Sequence, residues 1–304
     1  MSELECPGLP ASWLNAWLAA VGTTVLVPEM RLSWTDGPAP QALLTTSDGR
    51  DPVHALTSAW PSPERIAEMP IAEQLPGCED IVPNLPLRSF RERAERFRGH
   101  DDSWSISSTY TDLHVDETQP GVVLAARSRF APPAPGPVGP IHRRLTRVFG
   151  FVDEPFVQIT ATLEGGARRV NANGLGFDIS RVTTLADDSD KSVDPVLEVL
   201  AFFGLSLLPI RGAGTRRTAQ SRSAYLAARQ RLWFLDSDDG RRHRLMWPAW
   251  SYSLGRNGID ALLDAWSPLN RGTWRRLGVH AGWRSVEYRW QGNDPTRGIG
   301  SEAL

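Results

Sequence analysis

His100, Asp101, Asp102, His114 and Asp116 fall close together in GHDDSWSISSTYTDLHVD, the densest gathering of chemically able side chains in the chain. Imidazoles and carboxylates can in principle serve as ligands for a divalent metal and as acid–base partners for hydrolysis. Local pattern weighs against a built centre, because DLHVD alternates like a strand edge and GHDDS reads as a loop. None of the six histidines, His54, His100, His114, His142, His243 and His280, belongs to an HExxH or HxxxH pattern. A metal-dependent nuclease or other hydrolase using the His100–Asp116 cluster is therefore the alternative reading.

Other catalytic signatures are missing. There is no GxSxG elbow, and Cys6 and Cys78, the only cysteines, form no CxxC pair. NANGLGFD offers Gly174 and Gly176 without the third glycine of a dinucleotide loop, and no lysine follows a glycine run as in a phosphate-binding loop. We expect no catalytic residue, no metal ligand and no cofactor.

A second chemistry recurs after residue 210, where arginines interleave with aromatic residues. Arg211, Arg216, Arg217 and Arg222 lie in RGAGTRRTAQSRSAYLAARQRLW. Arg241, Arg242 and Arg244 precede Trp247, Trp250 and Tyr252 in RRHRLMWPAWSY, and Arg275 and Arg276 lie in RGTWRRLGVHAGWRSVEYRW. Guanidinium groups neutralise phosphates and aromatic faces accept unstacked bases, so this mixture suits the backbone of a single-stranded nucleic acid. Equally, the tryptophans form core and the arginines lie over their edges as cation–π partners. For RRHRLMWPAWSY we expect both: Met246, Pro248 and one face of the tryptophans in a buried strand, with Arg241, Arg242 and Arg244 at its exposed entry. Gly165 and Gly166 before Arg168 and Arg169 offer either a phosphate-facing turn or an ordinary hairpin.

Charge follows the same division. The net charge is −2, yet residues 201–304 hold 16 arginines against 8 acidic residues, leaving −10 on residues 1–200. A basic C-terminal third suits phosphate, although solvated faces have the same composition. Lys191 is the only lysine, and the planar guanidinium suits phosphates and stacking better than an ammonium does.

These residues need a scaffold, and 304 residues with 41% hydrophobic content suffice for one large or two moderate domains. No run of eighteen apolar residues exists and MSELECPGLP has no signal-peptide character, so no membrane span and a cytoplasmic location are expected. PASWLNAWLAAVG spaces Leu14, Trp17, Leu18 and Val21 as a helix face, with Ser12 as cap and Gly22 as stop. TVLV then reads as a strand, and RLSWTDGPAPQALLT as a hairpin turning at Asp36, Gly37 and Pro38. LRSFRERAERFR predicts a surface helix over 87–98 with five arginines around an aromatic stripe, a packed helix or an RNA-contacting one. VDPVLEVLAFFGLSLLPI predicts a helix capped by Asp194, opened by Pro195 and ended before Gly204, with a buried strand after it. NGIDALLDAWSPLN predicts a helix around 259–266. The expected fold class is α+β, a mixed, mostly antiparallel sheet with several short helices. We place an N-terminal lobe at 1–130, a Pro-rich connection at 131–140 (APPAPGPVGP) and a C-terminal lobe with a basic, aromatic surface at 141–304.

Several segments in this order resemble one family. WLNAWLAAVGTTVLVPEMRLSWTDGPAPQALLT is similar to the opening of subunits of CRISPR type I-G (formerly I-U) effector complexes. VNANGLGFDISRVT, DPVLEVLAFFGLSLLPIRG and LMWPAWSYSLGRNGIDALLDAW resemble that group's later blocks. The resemblance implies a compact large subunit, or a companion subunit, of a Cascade-like ribonucleoprotein in antiviral defence. Its implied partners are crRNA, target DNA, other Cascade subunits and a helicase-nuclease. Its implied work is noncatalytic: to hold the 5′ end of the crRNA, to contact the flanking PAM region of target DNA, and to help recruit the helicase-nuclease, while base pairing reads the sequence. A module that binds only proteins, its arginines serving interface ion pairs, is a third reading.

Overall fold

A helix whose whole circumference is apolar is stable only where every side meets protein, and LNAWLAAVGTTVL is such a sequence. In the computed structural model it forms a helix whose residues are all buried. The structure describes residues 3–68, 85–86, 111–116, 122–127, 141–172, 174–176, 192–208, 215–216, 232–235, 243–289 and 297–304. The chain opens with β1 (Leu4–Pro10), α1 (Leu14–Leu26), β2 (Met30–Trp34), β3 (Gln41–Thr46), α2 (Pro52–Ala59) and α3 (Pro63–Glu68). Strands β4 (Leu85–Pro86), β5 (Thr111–Asp116) and β6 (Val122–Arg127) follow, then helices α4 (Ile141–Phe149) and α5 (Pro155–Glu164). Next come β7 (Val170–Asn171), β8 (Ser192–Val193), α6 (Pro195–Gly204), β9 (Thr215–Arg216), β10 (Trp233–Leu235) and β11 (His243–Trp250). The chain closes with α7 (Arg256–Ala265), α8 (Arg271–Trp274), β12 (Val279–Arg289) and β13 (Arg297–Ala303). The fold is α+β with mostly antiparallel sheets, as expected; the β5–β9 pair is parallel.

The first sheet has the order β1-β3-β2. The hairpin falls where the sequence places it, with Trp34 opposite Ala42 and Gly37 at φ 117° in the turn. β1 was not expected, because LECPGLP carries two prolines. As an edge strand it tolerates them, and its register shifts between Cys6 and Pro10.

Helix α1 departs from expectation at both ends. Trp13 occupies the N-cap with no side-chain bond, and the helix runs through Gly22 to Leu26, absorbing the first three residues of TVLV and leaving Val27 as its extended C-cap. The Thr23 and Thr24 hydroxyls donate to the carbonyls of Ala20 and Val21, satisfying themselves inside the helix. Gly22 is a spacer for a second helix, since a Cβ there would come 1.8 Å from the carbonyl oxygen of Leu200.

That second helix is α6. Asp194 caps it as predicted, accepting from the amides of Val196 at 3.0 Å and Leu197 at 3.2 Å and from the Thr162 hydroxyl at 3.0 Å. Gly204 is its last residue, with right-handed dihedrals, and a 3-10 turn over Leu205–Leu207 replaces the expected strand.

The C-terminal sheet has the order β10-β11-β12-β13, all antiparallel. Helix α7 begins at Arg256 and stops at Ala265, immediately before Trp266, Ser267 and Pro268. Three indoles join this sheet to the first thirty-odd residues. The N–H of Trp17 donates to Pro248 O at 2.8 Å, that of Trp247 to Ala11 O at 2.8 Å, and that of Trp250 to Leu32 O at 3.0 Å. Trp250 also sits edge-on between Trp17 and Trp34, at centroid distances of 6.3 and 6.0 Å. The predicted helix at 87–98 and the connection at 131–140 lie outside the described residues. No helix of the described residues is long and apolar enough to cross a membrane.

Candidate nucleic-acid interface

The local sequence decides which of RRHRLMWPAWSY is core. Met246, Trp247, Pro248, Ala249 and Trp250 are buried, the two tryptophans completely, with both indole N–H groups already donating. Neither ring offers a face to a base. Arg244 is half-buried on β11 and its Nη1 donates to Ser285 O at 3.2 Å. Tyr252, just past the strand, is 55% exposed. Arg211, Arg217, Arg222, Arg241 and Arg242 lie outside the described residues. The backbone of Arg216 ends β9, in register with Asp116 of β5.

Arg275 and Arg276 are exposed on a 3-10 turn over Arg275–Leu277. From Ala265 to Val286 the sequence contains no Asp or Glu but holds Arg271, Arg275, Arg276 and Arg284; of these, Arg284 pairs with Glu302 on β13, its Nε donating to Oε2 at 3.0 Å. Aromatic packing fixes the turn beneath them. Trp274 is buried, donates its indole N–H to Ser267 O at 2.9 Å and packs on Trp266 at 5.8 Å. Phe234 meets Trp266 edge-on at 5.5 Å. Arg271 was missed as a site residue, although its spacing of three from Trp274 is the signal. Its guanidinium carbon lies 4.3 Å from the Trp274 ring centroid, and the residue stays exposed. Within this turn the two sequence readings merge, for one arginine covers a core tryptophan while its neighbours face solvent.

Gly278 closes the turn at φ 69°. Ser251 binds its carbonyl twice, through its amide at 2.9 Å and its hydroxyl at 3.2 Å. These bonds bring Tyr252 beside the arginine turn although 22 residues of chain lie between it and Arg275. Desolvation of its ring lowers the His280 pKa, opposed by Asp36 and by a hydrogen bond to the Trp34 backbone. The shift disfavours a charged imidazole there, and the formal positive charge of this segment comes from its arginines.

The remaining expectations divide. Gly165 and Gly166 form no hairpin: Gly165, at φ 81°, is the C-cap of α5. Arg169 instead joins β7 to β8, donating from Nη2 to Ser192 O at 2.6 Å. DLHVD is a strand, lying between β6 and β9; His100, Asp101 and Asp102 are outside the described residues, as are the side chains of His114 and Asp116. Among the described residues no group of three or more His, Cys, Asp or Glu could hold a metal ion. No family model, curated protein or solved structure matches the chain.

Proposed function

We propose that this protein is a noncatalytic, nucleic-acid-binding subunit of a crRNA-guided Cascade-like surveillance complex acting in the cytoplasm. The observation that carries the reading is the acid-free segment 265–286, which turns Arg271, Arg275 and Arg276 outward from an aromatic anchor. Arginines fixed this way neutralise successive phosphates without reading sequence. That is the role left to protein where base pairing with a guide reads the target. The resemblance of the opening helix and hairpin to type I-G subunits supplies the guide RNA, the flanking DNA and the helicase-nuclease as partners.

The test is purification of the tagged chain from its native host, with bound RNA sequenced and bound proteins identified. Short RNAs sharing a 5′ repeat fragment, together with companion subunits, are expected. A clean monomer without nucleic acid would overturn the proposal.

A further inference from the structure

Resting on that nucleic-acid reading, we propose that Tyr252 is a stacking platform for one unpaired base, so that the ligand of this face is single-stranded RNA or DNA. Trp247 and Trp250, on the preceding strand, are wholly enclosed, while more than half of Tyr252 is open to solvent. The residue is nevertheless held in place. Ser251 is pinned to Gly278 O by two hydrogen bonds, and the Cδ2–Cε2 side of the Tyr252 ring lies against Gly278 itself. A Cβ at Gly278 would come 2.4 Å from both ring atoms, and the left-handed φ of 69° independently favours glycine there. The ring is therefore seated on backbone, its remaining surface turned outward and little freedom left to lose on binding.

The same turn carries charge. Arg275 and Arg276 are exposed, three and two residues before Gly278, on the turn against whose end the ring is seated. In a closed duplex each base face is covered by its stacked neighbour, so a protein ring gains contact only with a base that has left the stack. A tyrosine without arginines would be a weak stacking surface, and arginines without a ring would bind duplex and single strand alike. Their convergence on one glycine turn selects the single strand.

The experiment measures fluorescence anisotropy of the full chain with labelled oligouridine, labelled oligothymidine and a labelled duplex of equal length, all at one salt concentration. Both single strands are expected to bind more tightly than the duplex. Tyr252→Ala should weaken them by about tenfold and leave duplex binding unchanged, whereas Tyr252→Phe should retain wild-type affinity. Thermal melting establishes that each variant is folded, and Tyr252→Leu, which keeps apolar bulk without a π face, repeats the test should the alanine variant melt early. Unchanged single-strand affinity in a folded Tyr252→Leu protein overturns the stacking proposal. If Arg275→Glu and Arg276→Glu then weaken all three ligands together, phosphate binding by this face stands without it. If no oligonucleotide binds the wild-type chain, both readings fall. Tighter binding of oligouridine would identify RNA as the strand, and equal binding would show that the sugar is not read; either agrees with a base on Tyr252.

Discussion

Gly22 of α1 and Gly204 of α6 face one another at the crossing of two fully buried helices. A Cβ on Gly22 would stand 2.9 Å from the Gly204 amide nitrogen and 1.8 Å from Leu200 O; one on Gly204 would stand 2.0 Å from Leu18 O. All the nearest obstacles are backbone, so no rotamer change can admit a methyl group. Gly22→Ala and Gly204→Ala should each cost about 3 kcal/mol, at the upper end for an overpacked core. Gly166→Ala is the control, with nothing within 4 Å, and should stay within about 0.5 kcal/mol. Urea denaturation followed by tryptophan fluorescence measures all three.

Asp194 is a buried carboxylate that caps α6 and accepts the Thr162 hydroxyl. Desolvation raises its pKa against the pull of those bonds and of Arg169. Asp194→Ala leaves buried donors unsatisfied and should cost about 2 kcal/mol. Asp194→Asn retains an acceptor and should be close to neutral. A folded carboxyl that holds its proton more tightly than the unfolded one contributes stability below the unfolded pKa, and this is lost as pH rises through the folded value. Denaturation of Asp194→Asn across that acidic interval should show a smaller fall in stability with rising pH than the wild type shows.

The Cys6 thiol is enclosed, and burial with the nearby charge of Glu5 pushes its pKa up to about 12. Since the thiolate is the reactive form, a maleimide at neutral pH should leave Cys6 unmodified in the folded protein and label it fully in denaturant. Peptide mass mapping reads this directly. The same shift makes stability fall as pH rises from the ordinary thiol range toward 12, because the unfolded chain releases this proton first.

Trp247→Phe removes the N–H that Ala11 O accepts and leaves a void. It should cost about 2–3 kcal/mol in a urea titration. Because the indole touches no surface, oligonucleotide affinity under native conditions should not change.

What the sequence revealed depended on whether its signal was local. The Asp194–Pro195 cap, the Asp36–Gly37–Pro38 turn and the buried WPAW strand rest on residues whose preferences act within a few positions, and all three stand in the structure. Gly22 and TVLV were misread because an all-buried helix has no polar face to mark its period, and a glycine serving a neighbouring helix looks like a stop. The site was legible as composition only. Nothing near Tyr252 in sequence announces Gly278; the Ser251 bonds that unite them are tertiary, as is the enclosure that removes Trp247 and Trp250 from any binding role.

The central claim is that Arg271, Arg275 and Arg276 bind phosphate, and the salt dependence of oligouridine affinity tests it most directly. The wild-type chain should show log affinity falling steeply with log salt concentration. The double variant Arg275→Glu, Arg276→Glu, verified as folded, should bind more weakly, with the slope reduced by about two. A wild-type affinity indifferent to salt, or a slope unchanged in the folded double variant, would contradict the account.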